Sequence, residues 1–151
     1  IEPNPFKREI AKKMGADVVM EEIDPKEIKA LTDRDGVDVV LEMSGNPKAI
    51  VKAFECIRNG GDVALLGIPP GEVCITWAKQ IIFRGLTIRG INGRKMYETW
   101  YQSERFLRHY PELIEPVITH RLPFDRFEDG IKAMQDGTGC KVVLDWTNAK
   151  E

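Results

Sequence analysis

The sequence contains no long uninterrupted hydrophobic run and no strong excess of either charge. Its 151 residues include 22 Lys and Arg against 24 Asp and Glu, which gives a formal net charge of -2. This balance lacks the basic surface that is typical of proteins binding nucleic acid or anionic membranes. The apolar runs are also too short to span a bilayer. With 42% hydrophobic and 30% charged residues, the composition is typical of a globular protein.

Cysteine and histidine are both scarce. Cys56, Cys74 and Cys140 are far apart and odd in number, which indicates reduced thiols in a cytoplasmic protein rather than a disulfide framework. His109 and His120 have no nearby Cys, His or acidic residues at the spacing of a metal site, so we interpret both as structural. We therefore expect no metal ligands and no catalytic residues among these 151 positions.

Helical and extended patterns alternate along most of the chain. Apolar residues at helical spacing predict helices, and short, nearly continuous apolar runs predict strands buried in a parallel sheet. The predicted helices are Pro5–Met14, Pro25–Leu31, Pro47–Ile57, a short turn at Ala78–Phe83, Met96–His109 and Phe127–Met134. The predicted strands are Asp17–Met20, Val37–Met43, Val63–Ile68, Val73–Thr76, Leu86–Ile91, Val117–Leu122 and Lys141–Trp146. Such alternation predicts an α/β fold.

The predicted architecture has two parts. Residues 1–115 are expected to form a partial Rossmann-type parallel sheet with flanking helices. Residues 116–151 are expected to form a short β-α-β segment that belongs to a different domain. A dinucleotide-binding domain normally opens with a strand, a glycine-rich turn and a helix, and the sequence contains no such turn. We therefore expect Ile1 and Glu2 to end the second strand of that domain, with the glycine-rich loop upstream.

Candidate binding residues follow the predicted strands. An acidic residue at the end of the second strand, here Glu2, binds the ribose hydroxyls of a dinucleotide and disfavours a 2′-phosphate. Lys7 and Arg8 are positioned to contact the same ribose or the adenine. The alternative is that Glu2 is an ordinary exposed glutamate and that Lys7 and Arg8 are solvated helix charges.

Three further segments lie at strand ends, where parallel sheets form their ligand crevice. They are Ser44–Gly45, Leu65–Gly67 and Gly90–Arg94. Small residues there permit a ligand to approach the backbone, and Arg94 offers a guanidinium for phosphate. The alternative at each position is an ordinary tight turn.

Several stretches together resemble one enzyme family. They are EPNPFKREIAKKMGAD (residues 2–17), LEMSGNPKAI (41–50), ALLGIPPG (64–71), GLTIRGINGRKMYETWY (85–101) and PVITHRLPFDRFEDGIKAMQDGTGCKVVLDW (116–146). The chain resembles the zinc-dependent medium-chain alcohol dehydrogenases, and the segment GRKMYETWY is similar to the L-threonine 3-dehydrogenases among them. The resemblance implies an oxidoreductase that uses NAD and zinc and oxidises L-threonine to 2-amino-3-oxobutanoate.

The same resemblance assigns roles to individual residues. Glu2 would bind the adenosine ribose, assisted by Lys7, where relatives often carry Arg. Leu66 and Ile91 would flank the nicotinamide. Asn92 would supply hydrogen bonds near the nicotinamide, and Arg94 would lie towards the pyrophosphate.

The resemblance also implies what lies outside these 151 residues. Family members are about twice as long, and their zinc ligands and glycine-rich loop lie in the amino-terminal half. This chain is therefore expected to be a carboxy-terminal piece that is inactive alone. The family is typically tetrameric, and Val73–Ile75 and Leu86–Gly90 would be its pairing edges. Two alternatives stay open: a dehydrogenase for a polyol or secondary alcohol, and a non-catalytic nucleotide-binding or assembly module.

Overall fold

A computed structural model describes residues 1–147 of the chain. Its helices are α1 (Pro5–Lys13), α2 (Pro25–Ala30), α3 (Pro47–Cys56), α4 (Trp77–Gln80), α5 (Glu98–His109), α6 (Pro111–Ile114) and α7 (Phe127–Gln135). Its strands are β1 (Val37–Glu42), β2 (Ile57–Leu65), β3 (Thr87–Gly90), β4 (Ile118–Pro123) and β5 (Lys141–Asp145). Short 3-10 turns occupy Ile82–Arg84, Glu115–Val117 and Phe124–Arg126. The predicted α/β class is confirmed.

The chain divides into two compact units. The first contains residues 1–22 together with the described chain from Met96 onwards, and the second contains Ile23–Lys95. The first unit is thus built from both ends of the described chain. The boundary predicted near residue 115 does not coincide with a limit of these compact units, and it stays a prediction.

The second unit is organised around a three-stranded parallel sheet in the order β1-β2-β3. In this register Val40 lies beside Val63, and Val63 lies beside Ile88. Helix α3 begins at Pro47 because the Asn46 side chain accepts hydrogen bonds from the backbone N–H groups of the first turn, as an N-cap does. Its apolar stripe covers one face of the sheet.

The core of this unit lies between α3 and the sheet. Ile50 and Phe54 from α3 pack with Ile57 and Val63 from β2 and with Ile81, and all five are buried. Burial of these five side chains removes apolar surface from water, and this supplies the main stabilisation of the unit. On the other face of β1, the alternate residues Val39, Leu41 and Met43 are exposed.

The first unit contains the predicted β-α-β segment, in which β4 and β5 pair in parallel and α7 connects them. Gly130 lets α7 approach the sheet closely, because a Cβ at this position would lie 2.8 Å from the Val142 Cγ1. Phe124 and Trp146 stack with their ring centroids 4.7 Å apart. Helix α1 belongs to the same unit and is capped by Asn4.

Two predicted strands are wrong. Asp17–Met20 forms no strand, although the Glu2 N–H donates to the Met20 carbonyl at 2.9 Å, because a single hydrogen bond does not make a ladder. Val73–Thr76 forms none either. There, Val73 and Ile75 pack against the core, so the alternation that resembled a strand reflects alternate burial without backbone pairing.

Strand β2 begins earlier than the predicted strand Val63–Ile68. It starts at Ile57, directly after α3, and it contains Gly60 and Gly61. The ladder with β1 shifts register between Val37 and Val39, so the glycines occupy an irregular stretch within one strand. Gly60 has φ +71°, a conformation that favours glycine over other residues.

Candidate functional site

The carboxyl ends of the three parallel strands of the second unit meet at one edge of the sheet. Leu65 at the end of β2 lies in register between Glu42 of β1 and Gly90 of β3. Beyond the strands, the Ile91 N–H donates to the Leu65 carbonyl at 2.9 Å, and the Leu66 N–H donates to the Glu42 carbonyl at 2.9 Å. Two of the predicted coenzyme residues, Leu66 and Ile91, therefore follow adjacent strand ends.

This edge has exposed apolar side chains beside open backbone. Leu66 is 39% exposed and Ile91 is 45% exposed. A Cβ built on Gly90 or Gly93 would meet no atom within 4 Å, so the backbone between them is open to close approach. Apolar side chains beside accessible peptide groups suit a flat, partly polar ring such as a nicotinamide. Asn92, between these glycines, and Arg94 are both exposed in the same segment.

A buried carboxylate organises the first of these strand ends. Glu42 is 6% exposed, and its carboxylate accepts hydrogen bonds from the backbone N–H groups of Ser44 (3.0 Å) and Gly45 (3.1 and 3.2 Å) and from the Ser44 hydroxyl. A Cβ on Gly67 would lie 2.1 Å from the Gly45 nitrogen, so the two loops touch backbone to backbone. Glu42 was not among the predicted site residues. Its signal is an acidic residue that directly follows the apolar run Val39–Leu41 and precedes the segment Met43–Gly45.

Glu2 and Lys7 lie in the first unit. One oxygen of the half-buried Glu2 carboxylate accepts a hydrogen bond from the Asn4 N–H at 2.9 Å. Among the described residues, the second oxygen has no hydrogen-bond donor, so it is available to a hydroxyl of a ligand. The Arg8 guanidinium donates to the Glu2 carbonyl at 2.9 Å and pairs with Glu21 at 3.2 Å. Arg8 thereby fixes the backbone from which the Glu2 carboxylate projects.

Lys7 takes part in the first turn of α1, where its N–H donates to the Asn4 side-chain oxygen at 3.1 Å. Its ammonium forms no ion pair with any carboxylate in the described part of the chain. The first unit thus presents an acceptor at Glu2, just before α1, and a cation at Lys7 in the first turn of that helix. This combination fits a ribose that is linked to phosphate.

Residues 1–147 contain no group of three or more His, Cys, Asp or Glu side chains able to hold a metal ion. His109 lies at the end of α5 with its Nδ1 2.8 Å from the Arg105 carbonyl, and the His120 Nδ1 lies 3.0 Å from the Thr119 hydroxyl. The residues described here do not fit a zinc site. In the same range no helix is long and apolar enough to cross a membrane.

The second unit also contains a cavity of about 930 Å³, and none of the six predicted coenzyme residues lines it. Several cationic side chains border it, and two of them have internal partners. The Arg84 guanidinium donates to the carbonyls of Phe54 and Ile57 at the end of α3, and Arg58 pairs with Asp38. These guanidiniums hold the ends of helix and strand together, and we assign the cavity no binding role.

Comparison with known proteins gives consistent matches. Residues 1–109 match the family described as zinc-binding dehydrogenase. L-threonine 3-dehydrogenase of Bacillus licheniformis is 45% identical over 147 residues, and so is that of Pyrococcus horikoshii. The match covers 95% of this chain but 42% of each relative. An alcohol dehydrogenase structure from Thermotoga maritima superposes with a TM-score of 0.80 at 25% identity, over 93% of this chain and 40% of that one.

Proposed function

Because the chain belongs to the zinc-binding dehydrogenase family, we propose that it is part of an enzyme that oxidises L-threonine to 2-amino-3-oxobutanoate with NAD. Within that enzyme these residues supply coenzyme recognition. The substrate is proposed from relatives named L-threonine 3-dehydrogenase that are 45% identical over 95% of the chain. The three free cysteines are compatible with a reducing compartment, for which we propose the cytoplasm.

One observation carries the coenzyme assignment. The 2.9 Å hydrogen bond from the Ile91 N–H to the Leu65 carbonyl holds two exposed apolar residues, Leu66 and Ile91, at neighbouring strand ends. When bound, NAD accepts a hydride on its nicotinamide ring. In this proposal Leu66 and Ile91 contact the ring and exclude water from it. Asn92 offers hydrogen bonds to the carboxamide, and Arg94 neutralises charge towards the pyrophosphate.

Glu2 is proposed to select NAD. Its second carboxylate oxygen accepts a ribose hydroxyl hydrogen, and its negative charge opposes a 2′-phosphate. Lys7 assists at the same ribose. The carboxylate is held on one side by the Asn4 N–H, so its orientation is set before the coenzyme binds.

The residues described here do not fit a metal site. In this proposal the metal belongs to a part of the enzyme outside them, in keeping with the 42% coverage of the relatives. We expect the 151-residue chain alone to show no threonine oxidation. We also propose that the whole enzyme is a homo-oligomer of four subunits, as the family resemblance implies.

The substrate is tested by steady-state kinetics of NAD reduction by the complete gene product. L-threonine, 2,3-butanediol and sorbitol are compared in parallel. We expect the highest kcat/KM with L-threonine. A higher kcat/KM with 2,3-butanediol or sorbitol would make that alcohol, and not threonine, the substrate. Absence of turnover with all three would overturn the enzymatic proposal.

Coenzyme recognition is tested with Glu2→Gln, which keeps the size of the side chain and removes its charge. Loss of a charge-assisted hydrogen bond is expected to raise KM for NAD about tenfold or more. The ratio of kcat/KM for NAD to kcat/KM for NADP should also fall. Glu9→Gln is the matched control, because Glu9 lies on α1 and pairs with Lys12 at the surface. An unchanged KM for NAD in Glu2→Gln would contradict the role of Glu2.

A further inference from the structure

Asn4 connects three separate parts of the first unit. Its backbone N–H donates to the Glu2 carboxylate at 2.9 Å, and its side-chain oxygen accepts from the Lys7 N–H at 3.1 Å. Its side-chain amide donates to the Gly137 carbonyl at 2.9 Å. The first two bonds are local. The third joins positions 133 residues apart in the sequence, and both ends lie in the same compact unit.

The contact at Gly137 leaves no room for a side chain. A Cβ on Gly137 would lie 2.5 Å from the amide nitrogen of Asn4. Gly137 also has φ +70°, a conformation that side chains other than that of glycine rarely adopt. The turn after α7 is therefore shaped to receive the Asn4 amide.

An N-cap alone does not account for this arrangement. Ser, Thr, Asp and Asn cap helices about equally well through a side-chain oxygen, and Asp24 caps α2 in the same position before a proline. Among these four side chains, only that of Asn carries a donor on an atom separate from the capping oxygen, since the Ser and Thr hydroxyls donate and accept at one atom and the Asp carboxylate has no donor. At Asn4 that donor is used at Gly137, two residues after Gln135 ends α7.

We propose that Asn4 is a positioning residue for the coenzyme: it anchors the Glu2 carboxylate to the turn at Gly137, so that the segment after α7 controls affinity for NAD. This inference rests on the proposed ribose-binding role of Glu2. Loss of the anchor frees residues 2–4 to move, and the carboxylate then loses orientation before the ribose binds. Affinity falls while the chemistry at the nicotinamide is unchanged.

The test uses Asn4→Ser, which keeps an oxygen for the cap and removes the amide NH2 group that donates to the Gly137 carbonyl. In the complete gene product we expect KM for NAD and the NADH dissociation constant to rise about fivefold, the effect of one hydrogen bond. The values of kcat and of KM for threonine should stay within twofold. Asp24→Ser is the control for substitution at a cap before proline, and it should leave all four values unchanged.

Gly137→Ala disturbs the same contact at Gly137 and should also raise KM for NAD and the NADH dissociation constant. Gly85→Ala is its control, because Gly85 has φ +61° but a Cβ there would meet no atom within 4 Å. In a Glu2→Gln background, Asn4→Ser should add little further loss, since both act on one carboxylate. Full additivity, or equal losses in kcat, would overturn the positioning role. An unchanged KM for NAD in Glu2→Gln itself would instead overturn the proposed ribose-binding role of Glu2.

Discussion

The Glu42 carboxylate lies 3.1 and 3.2 Å from the backbone nitrogen of Gly45, with each oxygen within hydrogen-bonding distance of it. A negative charge buried at a strand end is stable there because backbone N–H groups and the Ser44 hydroxyl surround it. The loop after β1 is thereby fixed to the strand that carries it. Its shape sets where the loop after β2 passes.

We expect Glu42→Gln to destabilise the chain. The amide keeps the size of the carboxylate, but it removes the charge and places an NH2 group where the neighbours are donors. An unfolding free energy lower by about 1–3 kcal/mol is expected for a buried group left without its partner. Urea unfolding measures the change, with the exposed Glu72→Gln as control. Equal midpoints for the two variants would show that the buried carboxylate is not needed.

Gly67→Ala should be strongly destabilising. Its Cβ would lie 2.1 Å from the Gly45 nitrogen and 2.5 Å from the Glu42 Oε2, so backbone must move. A loss of about 1–3 kcal/mol in unfolding free energy is typical of such overpacking. Gly71→Ala is the matched control, since a Cβ there would meet nothing within 4 Å. The same urea titration compares them, and a neutral Gly67→Ala would contradict the close contact of the two loops.

Arg84→Lys should also lower the unfolding free energy. The guanidinium donates to two carbonyls, Phe54 and Ile57, at the junction of α3 and β2, and lysine cannot present the same planar pair of donors. Hydrogen bonds to charged groups contribute about 1.5–3 kcal/mol. Arg89→Lys provides the comparison, because Arg89 is exposed and makes a 3.7 Å pair with Asp62. Similar thermal midpoints in both variants would argue against a capping role for Arg84.

Cys56 should react with iodoacetamide far more slowly than Cys74. Burial raises the pKa of the Cys56 thiol, and the nearby Glu55 carboxylate raises it further. The reactive thiolate is therefore scarce at neutral pH, and access is blocked as well. Cys74 is exposed. Peptide mass spectrometry of the native chain gives the two rates, and unfolding in urea should bring them together. Equal native rates would contradict the burial of Cys56.

The same raised pKa has a consequence for stability at alkaline pH. Because the folded thiol holds its proton more tightly than the unfolded one, its contribution is fully present below the ordinary thiol pKa. That contribution is lost as pH rises through the folded-state pKa. Stability should therefore decline on the alkaline side, and Cys56→Ala should flatten the decline. An identical pH profile in this variant would remove Cys56 as its source.

The sequence predicted best what depends on near neighbours in the chain. Helices α1 and α3 each begin with an Asn-Pro pair, and both caps are present in the structure. The strand around Val40 was likewise recognisable from its nearly continuous apolar run, but the predicted burial was wrong for Val39 and Leu41, which are exposed. The strand at Asp17–Met20 was wrong because strand formation depends on partners that local pattern does not reveal.

The candidate site shows the same limit. Leu66 and Ile91 follow strands that were predicted to lie in a parallel sheet, and the structure brings their strand ends together. Glu42 was missed because its hydrogen-bond partners are mostly backbone N–H groups. Residue types in a sequence do not show where such groups lie. The contact between Asn4 and Gly137 was equally invisible, since it joins distant positions through a carbonyl.

The composition of the first unit from both ends of the described chain has a consequence for biosynthesis. The ribosome makes residues 1–22 before their packing partners from Met96 onwards, and the whole of Ile23–Lys95 is made in between. The second unit has all of its strands by then and is expected to fold first, during translation. Residues 1–22, which include Glu2 and Asn4, are expected to remain unfolded through this interval. Nascent chains should therefore acquire protease resistance within Ile23–Lys95 before they acquire it within residues 1–22.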